Sequence, residues 1–307
     1  MNINVRMEGG LGDHLLANRF VYAIKDKYPS AKIKVFSDTE NNNKMLEVIL
    51  SKFPNMYERG GEVIVSRKNK EYMITSQFGV ENYPCAIENQ SDETMQKMLD
   101  CDKFYDLHID GLQWMKYDFD WLRYFYFFPK PTAIKTPKYE PGFILTHLYA
   151  RPDSVYNLDQ QYVIELLEKI SENNKVVILT TEEHKNYYDS ILQNPNLIVD
   201  SSSTVIDIFD IASECSSFLG IDSGIRYIPY HFGKPVFVFS KYSPQYGSVG
   251  PSHLIRWLLF QKNVLPVNTN TDAIVKLLNN LKEHPAYSLF PEISNNIDQY
   301  IVERKML

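Results

Sequence analysis

Short apolar runs alternate with longer amphipathic stretches along most of this chain, a pattern that predicts a β-α-β series. Ile3, Val5 and Met7 alternate with polar residues, as strand positions do. Leu16, Phe20, Ala23 and Ile24 then recur at helical spacing, predicting a helix to about Lys27 that Tyr28-Pro29-Ser30 breaks. Residues 33–36 form the next strand. A helix near 43–51, a strand at 62–65, a helical stretch at 92–99 and a strand at 105–109 complete the first half.

The densest prolines in the chain, Pro129, Pro131, Pro137 and Pro141-Gly142, mark a boundary. They predict a first domain at 1–132, a linker at 133–142 and a second domain at 143–285. The tail, 286–307, carries a last helical pattern that can return to the first domain. Within the second domain the strands fall at 143–145, 176–179, 197–199, 217–221 and 236–239. Helices are predicted at 159–172, 182–192, 204–215 with Ser203 as N-cap, 225–232 and 272–282. Strands separated by helices argue for mostly parallel sheets and an α/β fold.

Composition narrows the classes. Of 307 residues, 44% are hydrophobic and 23% charged, the balance of a soluble globular protein. No apolar run reaches the roughly 20 residues that span a bilayer, so no integral membrane segment is expected. The formal net charge of −6 weakens any reading of the whole surface as a nucleic-acid site. Cys85, Cys101 and Cys215 are odd in number and widely scattered, which points to reduced thiols and a cytoplasmic location. His and Cys show no metal-ligand spacing. Between Phe104 and Phe128, Trp114, Trp121 and the run 124–128 concentrate aromatic surface. Such a segment packs cores and domain interfaces; it can also stack on a sugar or nucleobase, or make a peripheral membrane contact.

Two loops carry candidate chemistry. After the strand at 217–221, Asp222-Ser223-Gly224 makes a polar turn into a short helix that Gly233 and Pro235 terminate. Free backbone N–H groups at such a turn suit a phosphate or diphosphate. Arg226, in the first helical turn, opposes the macrodipole unless an anion lies there. The other loop is Gly9-Gly10-Leu11-Gly12-Asp13-His14, also between strand and helix. It fits a dinucleotide fingerprint only in part, because Leu15 holds the third glycine position; Asp38 would be the ribose acid. Gly10 and Gly12 let the backbone approach a substrate, and Asp13 can serve as general base toward an acceptor hydroxyl, with His14 second in rank. An aspartate here also caps a helix. Thr146, His147 and Arg151, after the strand at 143–145, are candidate donor contacts. So is Lys241, after the strand at 236–239.

The loop Gly-Gly-Leu-Gly-Asp-His-Leu-Leu, the helix ending in Lys27-Tyr28-Pro29 and the strand 33–35 resemble the first unit of the ADP-heptose lipopolysaccharide heptosyltransferases. Tyr105-Asp106-Leu107-His108-Ile109-Asp110 is similar to a later strand motif of that family. Leu219 to Gly224, with Gly233-Lys234-Pro235-Val236, resembles its donor-site motif. Two departures stand out: residues 143–157 carry no clear copy of the family's donor-contacting lysine, and Tyr227 replaces its histidine. The first loop also resembles that of certain fucosyltransferases, whose arginine-rich donor motif is absent. The resemblance implies a GT-B architecture: two Rossmann-like domains with parallel sheets facing a central cleft. It further implies a metal-independent, inverting glycosyltransferase. A nucleoside-diphosphate sugar is its co-substrate and a glycan or lipopolysaccharide-type saccharide its acceptor. Asp13 is then the base, and Asp222, Ser223, Gly224 and Arg226 the diphosphate site. A glycosyltransferase acting on modified DNA bases, a non-catalytic sugar-nucleotide binder and an NAD-dependent enzyme are the alternatives.

Overall fold

The structure, a computed structural model, describes residues 1–7, 11–37, 40–54, 56–62, 72–73, 84–85, 97, 99–106, 131, 138–150, 157–191, 193–240, 264–267 and 269–283. The chain divides into two compact units, Met1–Thr132 and Ala133–Leu307.

Unit 1 runs β1 (Asn2–Met7), α1 (Leu11–Lys27), β2 (Lys32–Ser37), α2 (Glu40–Lys52), β3 (Glu58–Glu62), the short strands β4 (Tyr72–Met73) and β5 (Pro84–Cys85), and β6 (Lys103–Asp106). Four strands lie in the order β3-β2-β1-β6, all parallel, while β4 and β5 form a separate antiparallel pair. Ile3, Val5 and Met7 alternate with Asn4 and Arg6 along β1, and all five are buried. A strand covered on both faces is what crossover helices produce. Helix α1 contributes Leu15, Phe20, Val21 and Ile24 to the core, and His14, Asn18 and Arg19 on it are buried too.

β3 pairs with Lys34–Ser37 of β2 over Glu58–Glu62, and all but the first residue of the strand expected at 62–65 lie outside the described residues. The register shifts between Val35 and Phe36 as at a bulge. Gly60 makes room there: a Cβ on it would lie 2.6 Å from the Phe36 ring. Arg59 pairs with Glu47 of α2 at 2.6 Å.

Unit 2 contains β7 (Ile144–His147), α3 (Gln160–Ser171), β8 (Val176–Leu179), a 3-10 helix (Glu182–Ile191), β9 (Leu197–Asp200), α4 (Val205–Glu214) and β10 (Ser217–Ile221). A 3-10 turn (Gly224–Arg226) then leads into α5 (Tyr227–His231), β11 (Val236–Ser240), β12 (Val264–Pro266) and α6 (Thr271–Glu283). Its six strands are parallel in the order β12-β11-β10-β7-β8-β9. Asp159 caps α3 by accepting from the Tyr162 N–H at 3.1 Å. Val163, Leu166, Leu167 and Ile170 fall on one face of α3 and join Val176, Ile178, Leu219, Phe237, Ile274 and Leu278 in the core.

Two expectations change here. Residues 182–191 wind as a 3-10 helix rather than an α-helix, which eclipses His184 and Tyr187 on one face. Tyr149 packs on both, with ring centroids 5.2 and 4.2 Å away. Thr204, not Ser203, caps α4: its hydroxyl accepts from the Asp207 N–H, and Asp207 accepts from the Thr204 N–H in return, a capping box. Ser203 instead donates to the buried Asp200 carboxylate at 2.6 Å.

Asp200 also receives Tyr139 Oη at 2.7 Å and Lys138 Nζ at 3.0 Å, so the latter part of the segment read as a linker is tied to β9. Burial raises the Asp200 pKa, but hydrogen bonds from Ser203, Tyr139 and Lys138 outweigh it and hold the carboxyl at about 2. Among the described residues, no helix is long and apolar enough to cross a membrane.

Candidate functional site

Strands β7 and β10 are neighbours in the unit 2 sheet, yet the chain leaves them in opposite directions. From β7 it passes through α3 to β8; from β10 it passes through α5 to β11 on the other side. The order is third, second, first, fourth, fifth, sixth, and the switch point lies between β7 and β10. Ligands of open α/β sheets bind outside the carboxyl ends of the strands at this place.

His147 ends β7, and Gly220 stands beside it in register. Gly220 is what allows the two strands to meet as they do, since a Cβ there would lie 2.8 Å from the His147 carbonyl oxygen and 2.6 Å from the Phe218 ring. Glycine inside a strand signals such a close approach, and this one was visible in the sequence without being singled out. Beyond β10, Ser223 turns its hydroxyl back across the switch point, placing Oγ 3.0 Å from His147 Nδ1. Burial lowers the His147 imidazole to about 4, so the ring is neutral near pH 7.

Ser223 occupies the N-cap of the 3-10 turn with extended backbone (φ −130°, ψ 161°), and its side chain makes no capping bond. The first N–H groups of the turn, beginning at Gly224, have no acceptor one turn back by helix geometry. Gly233, at φ 68°, closes the unit in the left-handed region that glycine tolerates. The described lip of the crevice therefore offers a serine hydroxyl, a neutral imidazole and backbone N–H groups.

Three candidate side chains are placed differently from expectation. Thr146 is buried and donates to the Val177 carbonyl at 3.4 Å within the sheet. Its neighbour His147 reaches the crevice because successive strand residues point to opposite faces. Arg226 was expected to await an external anion, but the anion is Asp222, four residues back on the same turn. His14 is buried in α1. Gly12 and Asp13 lie in the first turn of α1. Gly10, Arg151, Lys241 and most of the aromatic segment lie outside the described residues. Among the described residues, no group of three or more His, Cys, Asp or Glu gathers as a metal would require.

The aromatic group Tyr149, His184, Tyr187 and Tyr188 sits past the carboxyl ends of β7 and β8 and was not anticipated. Tyr149 is far in sequence from the other three, which share one 3-10 helix, and it meets His184 and Tyr187 on one face of that helix.

No family model matches this sequence, and no curated protein does. Solved structures do match. The ADP-heptose LPS heptosyltransferase II of E. coli superimposes with a TM-score of 0.59 at 13% identity, over 94% of this chain and 100% of that one. The fold is GT-B. A glycosyl transferase family 9 protein from Veillonella parvula also matches, with a TM-score of 0.51 at 13% identity, over 98% and 97% of the two chains. The GT-B likeness extends over both units, as the expected pair of Rossmann-like domains requires.

Proposed function

We propose that this chain is a glycosyltransferase that moves a sugar from a nucleoside-diphosphate sugar to a saccharide hydroxyl. The observation that carries this reading is the Ser223–Gly224 turn, bonded to His147 at the switch point of a GT-B unit. Unit 2 holds the donor: the turn's N–H groups and the Ser223 hydroxyl receive the diphosphate, and Arg151 and Lys241 supply cationic contacts. The acceptor hydroxyl needs a base. Since His14 is buried, that role falls to Asp13.

In the proposed step the acceptor oxygen attacks the anomeric carbon while the bond from that carbon to the β-phosphate oxygen breaks. The acceptor proton passes to Asp13, and the departing nucleoside diphosphate takes the bonding pair and gains one negative charge. Dipoles fixed at the turn stabilise that charge without reorganising. Attack opposite the leaving group inverts the anomeric centre, and no metal or resident cofactor enters the step. A cytoplasmic location is part of this reading, on the odd and scattered set Cys85, Cys101 and Cys215.

A thermal-shift screen with ADP, GDP, UDP, CDP and their sugars tests the reading. A true donor at about 100 times its Kd adds roughly 2.7 kcal/mol of stability. The stabilising donor is then assayed for transfer to lipopolysaccharide oligosaccharides and to hydroxymethylated DNA, with and without EDTA. Saccharide transfer that EDTA leaves intact is expected. Stabilisation by none of them, or hydride transfer from a nicotinamide, overturns it.

A further inference from the structure

The Asp222-Ser223-Gly224 turn sets an electrostatic problem. Asp222 is a carboxylate one residue from the hydroxyl assigned to the diphosphate, and two anions at short range repel. Arg226 resolves it from inside the protein. Its Nη1 bonds Asp222 Oδ1, and the two side chains are only 2% and 8% exposed. Its Nη2 donates to the Tyr227 hydroxyl at 2.9 Å, and the guanidinium carbon lies 4.7 Å from the centroid of that ring. Tyr227 stands where the resembling family has histidine, and here it holds the guanidinium against Asp222. A buried ion pair presents no net charge to its surroundings.

We propose that Arg226 is a positioning residue that cancels the charge of Asp222 and does not itself touch the donor. The diphosphate then meets a turn whose own side-chain charges sum to zero, and it is held by N–H groups and the Ser223 hydroxyl. This rests on the diphosphate reading of the turn. It differs from direct contact in one respect: removing both charges of the pair restores the electrostatics, whereas removing a ligand does not.

Isothermal calorimetry on the full chain tests it, with ADP, GDP, UDP and CDP as probes. The variants are Arg226→Gln and the double variant Asp222→Asn/Arg226→Gln, each also melted by circular dichroism. Arg226→Gln leaves Asp222 uncompensated and weakens binding roughly tenfold or more. The double variant returns to within about threefold of the parent. A double variant weaker than that overturns the inference and leaves the diphosphate reading intact, because the parent still binds. A parent that binds no nucleoside diphosphate overturns both. If Arg226→Gln does not fold, the same threefold criterion is applied to the double variant against the parent. Loss of both partners of a buried pair is tolerated better than loss of one.

Discussion

The two sheets share a strand order around their switch points but carry their sequence signals on opposite lips. In unit 1 the signal follows the first strand: after residues 8–10, β1 gives way to α1 with Gly12 and Asp13 in its opening turn. In unit 2 the first strand, β7, contributes His147 and then runs through residues 148–159 before α3 starts. The signal there follows the fourth strand, β10, as Asp222-Ser223-Gly224. Topology creates the crevice in both units, and local sequence decides which lip is furnished. The units also differ in charge. The crevice lip in unit 2 is furnished with a neutral ring, a hydroxyl and a buried ion pair, the place proposed for the diphosphate. Unit 1 has Asp13, the base proposed for the proton transfer, in the opening turn of α1.

The sharpest way to separate the lips is Asp13→Asn. Transfer should fall about 10²–10⁴-fold while nucleoside-diphosphate binding stays unchanged, as measured by kcat and calorimetry. Retention of the full rate would remove Asp13 from the mechanism. The second lever is pH. His147 is neutral in the fold but protonates near 6.5 when unfolded, so stability falls as pH drops from about 6.5 and levels off below about 4. The change is at most roughly 3 kcal/mol. Urea titrations across that window should show the slope for the parent and a flatter one for His147→Gln; equal slopes would contradict the depressed imidazole.

Gly220→Ala attacks the switch point itself. The added methyl meets backbone of β7 and the Phe218 ring, which should cost about 1–3 kcal/mol and weaken nucleotide binding together with it. Normal affinity in that variant would mean that the His147–Ser223 bond does not shape the site. Thr204→Ala provides the smallest effect and the control: about 1 kcal/mol of stability lost with the cap, and no change in binding.

Much of this architecture was legible because periodicity is a local property. β1, α1, α3 and β8 follow directly from apolar spacing, and Gly233 with Pro235 announced the end of α5. Strand order was not local. Nothing between Leu197 and Gly220 states that β10 crosses back to pair with β7, and the meeting of His147 with Ser223 depends on that crossing. Thr146 and His147 exchange roles by one step of strand parity, which a strand buried on both faces does not reveal in its sequence. The choice between Ser203 and Thr204 was readable in principle, since only Thr204 has an acid three residues on, at Asp207. Asp222 and Arg226 stood four apart in plain view as well. An arginine whose anion lies four residues back on its own turn needs no external ligand to be paired.

The charged edge of unit 1 has a consequence for the protein in crowded solution. As the described strands are ordered, β3 is an outer strand, and its sequence Glu58-Arg59-Gly60-Gly61-Glu62 sits beside a bulge with Arg59 tied back to α2. Two acids, a basic residue and two glycines on an irregular strand make a poor template for the strand of another molecule. The described sheet of unit 1 is thereby guarded against edge-to-edge aggregation along β3, and replacing Gly60 and Gly61 with β-branched residues would give up that protection along with the fit of Gly60 against Phe36.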